Sequence, residues 1–273
     1  MLVIDDHVSD YLIYNGKMQA CTPGTCIGFD FTGPVIYEVI RYIERRGLFK
    51  VDHWLRLQKS AVGQGIALPL SEGEFDQGVE TLLQRCNQVN CNIKLLVCRG
   101  QYVIYFSRTF YPSPEVYETG VSTASIYVER PDPNAKVRRE SYIETIADFR
   151  KKQDVFEALL LNREGFYTEG SRSNLFFVKR GEDCIYTAPS SMILEGVMRR
   201  HLLEVCKSLN VPVIQEAISK EEMPLVEAAF LTGTSIKVLP IAVIDGKQYE
   251  SSAHPLVRKL MQGFDDYIAG GKA

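Results

Sequence analysis

Apolar and polar positions alternate along the chain in two rhythms, short strand-like runs and longer helical ones. Residues 11–14 read as a strand closed by the Asn15-Gly16 turn. Residues 35–43 are rich in β-branched and aromatic side chains, which suits a strand, and Arg45-Arg46-Gly47 turns it into a second strand at 48–51. Asp52 is placed to cap a helix running to about Ala67, and Ser71-Glu72-Gly73-Glu74 has the capping-box spacing that opens a second helix to about Cys91. Residues 93–98 and 102–106 are apolar strands. Residues 111–135 then change character, with Pro112, Pro114, Pro131 and Pro133 around one strand-like stretch at 121–128.

A domain boundary is expected there. The expected division is a smaller N-terminal domain over 1–115, a linker with a leading strand over 116–135, and a larger C-terminal domain over 136–273. In the C-terminal part the pattern predicts a helix at 140–153, a strand at 158–161 and a turn at 162–165. A strand through 178 and a helix from Gly196 to Leu209 follow. A strand at 211–214, a short helix capped at 219–222, strands at 228–231 and 238–244, and a helix from about 254 complete it. Strands and helices mix in both halves, so the expected fold class is α/β (α+β mixed) in two domains.

Composition narrows the function classes. With 273 residues, 45% hydrophobic and 24% charged, the chain can bury a large core. A net charge of -3 suggests no general binding of polyanions, so no nucleic-acid partner is expected. No apolar run approaches the roughly 18 residues of a bilayer span, and the acidic start Met1-Leu2-Val3-Ile4-Asp5-Asp6 lacks a signal-peptide layout. The expectation is a cytoplasmic protein with no membrane partner. The seven cysteines and four histidines do not show zinc-ligand spacing, so reduced thiols and no metal site are expected.

The candidate chemistry concentrates in Glu169-Gly170-Ser171-Arg172-Ser173-Asn174-Leu175-Phe176-Phe177. A glutamate at the mouth of a strand, beside a tight turn, is a poor packing residue and a natural partner for a protonated ring nitrogen. The run resembles the signature of class IV (fold type IV) pyridoxal-phosphate aminotransferases, in which a glutamate is followed at short distance by asparagine, a hydrophobic residue and phenylalanine. Branched-chain and D-amino-acid aminotransferases and aminodeoxychorismate lyases share that superfamily. The cofactor, pyridoxal 5'-phosphate, needs a lysine amine for covalent attachment, an acid beside its ring nitrogen and a cradle for its phosphate.

The resemblance implies the following roles. Glu169 is the ring-nitrogen partner. Lys136, 33 residues before Glu169, is the attachment lysine. The residues after it, Val137-Arg138-Arg139-Glu140-Ser141-Tyr142, depart from the usual pattern, leaving Tyr142 as a candidate contact to the ring hydroxyl and Arg138 as an alternative occupant of the lysine slot. Leu194-Glu195-Gly196-Val197-Met198-Arg199 resembles Leu-Pro-Gly-Ile-Thr-Arg, so Gly196 and the amides of Val197 and Met198 are expected at the phosphate. Thr232-Gly233-Thr234-Ser235 supplies Thr234 and Ser235, and Asp52-His53-Trp54-Leu55-Arg56-Leu57 supplies Arg56, to the same anion. Ser173 and Asn174 complete the cofactor set. Tyr37, Lys94 and Arg99 are the substrate-pocket candidates.

The activity so implied is pyridoxal-phosphate-dependent transamination in amino-acid metabolism, between a branched-chain-like amino acid and a 2-oxo acid, by a homodimer. An alternative is a 4-amino-4-deoxychorismate lyase releasing pyruvate, and a further one is a non-catalytic binding protein on the same fold. The substrate's identity and its L or D handedness are not fixed by these motifs.

Overall fold

The computed structural model describes residues 1–270. The chain opens with β1 (Leu2–Ile4), β2 (Tyr11–Tyr14), β3 (Lys17–Ala20), β4 (Ile27–Phe29), β5 (Val35–Ile43) and β6 (Arg46–Gly47). Two helices, α1 (Lys50–Gly63) and α2 (Glu72–Arg85), precede β7 (Cys91–Cys98) and β8 (Gln101–Phe106). Next come α3 (Pro114–Thr119), β9 (Val121–Tyr127), β10 (Val137–Arg138) and α4 (Glu140–Gln153). The remainder holds β11 (Glu157–Leu161), β12 (Tyr167–Gly170), β13 (Asn174–Lys179), β14 (Ile185–Tyr186), α5 (Val197–Ser208), β15 (Val213–Ile214), β16 (Val226–Gly233), β17 (Lys237–Ile244), β18 (Lys247–Gln248) and α6 (Pro255–Ala269). Two units result, one of Met1–Phe110 with Ala135–Arg139, the other of Tyr111–Asn134 with residues 140–270.

In the first unit, a sheet in the order β10-β5-β7-β8-β2-β3, with β6 on β5, is covered on both faces. All eight residues of β7 are buried, and their alternation divides them cleanly. Ile93, Leu95 and Val97 pack with Trp54, Leu57 and Ala61 of α1 and Phe75, Val79 and Leu82 of α2. Leu96 and Cys98 pack on the other face with Leu2, Ile4, Phe29 and Phe31, which belong to the small β1–β4 pair or lie beside it.

The second unit carries a nine-stranded sheet ordered β12-β11-β9-β17-β16-β13-β14-β15, with β18 on β17. Its strand β11 shows the same division. Leu159 and Leu161 join the core with Leu175, Phe177, Leu231 and Leu239, whereas Ala158 and Leu160 pack against Ile146 of α4. Phe176 and Phe230, on paired strands, stack at 4.9 Å between ring centres.

Several local expectations need correction. Residues 48–51 are not a strand. Leu48 makes one more ladder bond, its N–H donating to the Arg41 carbonyl, and then Phe49 takes a left-handed φ of 52° that starts α1 at Lys50. The second helix stops at Arg85 because Asn87 turns left-handed at φ 47°, and Cys91 begins β7 instead. The proline-rich stretch holds a helix, α3, with Pro114 in its first turn, where a missing N–H costs nothing. The apolar pattern does not predict strands β1, β3, β4, β10 and β14; each is two to four residues long, too short to show a period.

A buried ionic network fastens α1 to β5. Glu38 is 1% exposed and His53 0%. Arg56 grips Glu38 with two parallel bonds, Nε to Oε1 and Nη2 to Oε2, both 2.7 Å, and His53 Nδ1 donates to Oε2 at 2.8 Å. Burial acts to raise the Glu38 pKa, but the Arg56 charge, its hydrogen bonds and that from His53 overcome it and bring the carboxyl down to about 2. Burial, opposed by Glu38, lowers the His53 pKa and favours its neutral ring.

Two outcomes are expected. Gly120 ends α3 at φ 78° and ψ 176°, a region open essentially to glycine, and a Cβ there would lie 2.9 Å from the Ala242 amide nitrogen. Gly120→Ala should cost about 1–3 kcal/mol in chemical denaturation; an unchanged midpoint would refute this account. The second concerns acid. Both Glu38 and His53 have folded pKa values below their ordinary 4.5 and 6.5, so their contribution is present at neutral pH and disappears as pH falls, for Glu38 between about 4.5 and 2. The denaturation midpoint should fall on acidification through that window, and fall less steeply in Glu38→Gln. Parallel pH curves for the two proteins would exclude Glu38 as a source of acid sensitivity.

Candidate active site

In the second unit the signature run forms the turn from β12 into β13, held from beneath by a buried carboxylate. Glu157, 1% exposed, accepts from Ser171 Oγ at 2.5 Å, Ser173 Oγ at 3.1 Å and the Arg172 amide at 3.3 Å. Gly170 is required at this turn, because a Cβ there would lie 2.1 Å from Ser173 Oγ. Ser173 thus spends its hydroxyl on the protein.

Glu169, at the end of β12 and 1% exposed, is placed by that turn. Arg130 Nε donates to its Oε1 at 2.7 Å, and the Leu194 amide lies 3.3 Å from both of its oxygens. Arg130 also donates from Nη2 to the Ser171 carbonyl at 2.8 Å, and its guanidinium sits 5.2 Å from the Tyr142 ring centre. Tyr142 O–H donates to the same Ser171 carbonyl at 3.2 Å. Asn174 Nδ2 donates to the Leu194 carbonyl at 2.9 Å. Glu169 and Asn174 therefore clasp the two polar groups of one peptide residue, and two motifs far apart in sequence become one structure.

Two residues beyond that clasp, Gly196 starts α5. Its backbone passes so close that an added Cβ would lie 2.0 Å from Asn174 Oδ1. The N-cap position is Gly196, so no N-cap side chain caps the helix, and the amides of Val197 and Met198 stand in its first turn. The side chains of Val197 and Met198 are themselves buried. Thr234 and Ser235 lie in the β16–β17 turn. The register brings that turn to the same end of the sheet, since Asn174 pairs with Thr232 and a Cβ on Gly233 would be 3.8 Å from the Arg172 carbonyl. Thr232 Oγ1 is buried without a hydrogen-bond partner among the described residues.

The other candidates belong to the first unit. Lys136 precedes β10; its amide donates to Ser60 Oγ of α1 at 3.0 Å, its carbonyl accepts from the Tyr37 amide at 3.0 Å, and its Nζ lies 4.7 Å from the Tyr37 ring centre. Lys94, buried on β7, donates to Asp6 Oδ2 at 2.7 Å. Tyr37, Lys94 and Lys136 are thus near one another. Arg56 is on the opposite face with Glu38, whose neighbour in β5 is Tyr37. Arg99 is exposed in the β7–β8 turn beside Gly33, five residues past Lys94.

Sequence reasoning missed Arg130, Glu157, Glu38, His53 and Asp6. Arg130 sits in the proline-rich stretch that reads as linker. Glu157 and Glu38 stand inside apolar strand runs, and an acid in such a run is a signal that a partner must be found for it.

The chain is 29% identical over 240 residues to a probable branched-chain-amino-acid aminotransferase of Thermotoga maritima, covering 85% of this chain and 86% of that one. It is 28% identical over 267 residues to a D-alanine aminotransferase of Bacillus licheniformis, covering 88% and 89%. Among solved structures it matches a putative branched-chain amino acid aminotransferase from Thermotoga maritima with TM-score 0.82 and 27% identity, over 95% of this chain and 96% of that one. A branched-chain amino acid aminotransferase from T.th., solved with pyridoxamine 5'-phosphate, has the same fold at TM-score 0.82 and 21% identity, over 96% and 95%. Residues 35–244, well over half of the chain, match the family model of the class IV aminotransferases. The chain belongs to that family, and is a pyridoxal-phosphate-dependent aminotransferase.

Proposed function

We propose that this enzyme transfers the amino group of a branched-chain-like amino acid to a 2-oxo acid, with Lys136 as the attachment and proton-transfer amine and Glu169 as the partner of the ring nitrogen. The observation that carries the reading is the clasp on Leu194. One residue set holds a buried glutamate beside Arg130 and, two residues on, an uncapped helix start. The residues present fit pyridoxal phosphate. The Gly196 backbone has no room for a side chain, the first amides of α5 have no side-chain cap, and Thr232 Oγ1 is buried and unpartnered among the described residues. The branched-chain preference is supported by the named activity of the Thermotoga maritima relative.

When bound, pyridoxal phosphate supplies an electron sink for the charge left at the substrate Cα. Glu169 offers its carboxylate to a protonated ring nitrogen, while Arg130 and the Leu194 amide keep that carboxylate from turning away. The amides of Val197 and Met198 and the hydroxyls of Thr234 and Ser235 bind the phosphate oxygens. Arg56 adds a cation whose orientation is set by its two-bond grip on Glu38. Tyr142, whose O–H now donates to the Ser171 carbonyl, would serve the ring hydroxyl. Ser173 and Asn174 serve the cofactor through the turn they build. Lys136 Nζ takes the proton from the substrate Cα and returns it on the other side of the exchange. Tyr37, Lys94 and Arg99 face the substrate.

Domain roles follow as part of the same proposal: the larger C-terminal domain supplies the ring-nitrogen partner and the amides and hydroxyls for the phosphate. We place the enzyme in the cytoplasm as a homodimer. All seven cysteines are free thiols, which suits a reducing compartment. Val51, Leu55 and Val62, at helical spacing on α1, are 60%, 51% and 82% exposed, an apolar stripe suited to a second copy.

With leucine and 2-oxoglutarate, Lys136→Ala should lower turnover by about three orders of magnitude or more, and borohydride should no longer fix the cofactor to the chain. Cofactor fixed in that variant would move the attachment to another lysine. Glu157→Gln, which disturbs the turn under Glu169, should cost about 1–3 kcal/mol of stability and weaken pyridoxal phosphate binding in titration of the apoenzyme. Undiminished cofactor affinity would show that Glu157 does not place Glu169.

A further inference from the structure

β10 has only two residues, yet its register determines which way two cations point. It pairs antiparallel with β5, Val137 opposite Ile36 and Arg138 opposite Val35. The Tyr37 amide continues the ladder one residue back, onto the Lys136 carbonyl. Side chains of a strand alternate between faces. Ala135 and Val137 are buried in the core shared with α1 and α2. Lys136 and Arg138, both half-buried, therefore take the other face, where Tyr37 and Val35 pack. Arg139, the next residue, is exposed.

That face holds a polar cluster within an apolar surround. Val39 pairs with Lys94 and Lys94 with Tyr105, so Lys94 and Tyr105 share the face with Tyr37. Asp6 accepts from Lys94 at 2.7 Å on one oxygen and from Tyr105 O–H at 2.8 Å on the other. Lys94 Nζ is 5.9 Å from the Tyr37 ring centre and 5.7 Å from that of Tyr105. Arg138, opposite Val35, shares this face and its charge bears on the cluster. Burial acts to raise the Asp6 pKa, but Lys94, the Tyr105 hydrogen bond and the Arg138 charge hold it below the ordinary carboxylate value. Burial and then Asp6 raise the Tyr105 pKa, against which Arg138 acts. Asp5, on the exposed side, adds a further small effect on Tyr105.

We propose that Arg138 is the carboxylate anchor for the amino-acid and 2-oxo-acid substrates, with Lys94, braced by Asp6 and Tyr105, as the cation beside it. The proposal rests on Lys136 being the reacting amine. Residues two apart on a strand are separated by roughly 6.5–7 Å on the same face. A substrate whose Cα is presented to Lys136 carries its carboxylate one bond away, within the reach of an arginine side chain. A guanidinium reads a carboxylate with two parallel bonds and keeps its charge at any pH of interest.

The test compares wild type, Arg138→Met and Arg138→Lys as holoenzymes. Steady-state kinetics with leucine are measured beside calorimetric binding of isocaproate, an acid with no amino or oxo group to react. Pyridoxal phosphate affinity is titrated on the apoenzymes, and melting curves check folding. Arg138→Met should weaken isocaproate binding and raise KM for leucine by about 10- to 100-fold, the range expected for losing a charged hydrogen-bonded pair. Cofactor affinity should stay within about two-fold, and Arg138→Lys should recover part of the loss. Isocaproate binding that ignores the Met substitution would overturn the anchor, as would loss of isocaproate and cofactor together. Wild-type enzyme that binds isocaproate through Arg138 but transfers no amino group would keep the anchor and sink the proposed leucine reaction. Transfer from leucine that is indifferent to Arg138 would do the reverse.

Discussion

Three glutamates, Glu38, Glu157 and Glu169, are each 1% exposed, and the cost of burying a carboxylate dictates what surrounds them. Each solves the problem differently. Glu38 takes a guanidinium fork and an imidazole, and so fixes Arg56 on α1. Glu157 takes two hydroxyls and an amide, and so fixes the turn from β12 to β13. Glu169 takes Arg130 and the Leu194 amide, and so joins that turn to the start of α5. A single hydrogen bond of this kind contributes little on its own, but removing one partner from a buried charge costs several kcal/mol. The geometry around Arg56, the β12–β13 turn and the start of α5 is therefore held by the fold's own need to satisfy these carboxylates.

The same logic of faces governs β10. One side of the first unit's sheet is filled by the apolar residues of α1 and α2, and Ala135 and Val137 pack into that same core. A lysine and an arginine interleaved with those two residues have only the other side available. Two residues of strand thus align Lys136 and Arg138 with Tyr37, Lys94 and the Asp6–Tyr105 pair, without any helix or loop to aim them.

Long, strongly periodic elements were legible in the sequence. β5, β7, β8, α1, α4, α5, β17 and α6 all fall close to where the apolar rhythm puts them, and the capping box at Ser71 and Glu74 is present. What the pattern hid has physical reasons. Phe49 and Asn87 adopt left-handed backbone at positions where nothing local demands it, and these two residues set the start of α1 and the end of α2. Short strands such as β10 exist because a neighbour supplies the hydrogen bonds, which no local propensity records. At the candidate site, Glu169 stood out in the sequence as an acid where packing alone would not put one, and it is buried against Arg130. Arg130 and Glu157 were not, because their meaning lies in partners 39 and 14–16 residues away along the chain.

The two substitutions in the α5 motif show how side chain and backbone divide the work. Where the resembling pattern has proline and threonine, this chain has Glu195 and Met198. Met198 is 2% exposed and packs as a core residue, yet its amide remains in the first turn of α5. A helix terminus binds an anion through amides and dipole, so a changed side chain leaves most of that capacity intact. Substrate choice has no such backbone reserve; it depends on which side chains reach the reacting carbon. A phosphate cradle of the kind proposed is therefore indifferent to substrate, and relatives named for branched-chain amino acids and for D-alanine stand at nearly equal identity to this chain, 29% and 28%. On the reading proposed here, that choice falls to side chains such as Lys94 and Arg138, on the sheet face that carries Lys136.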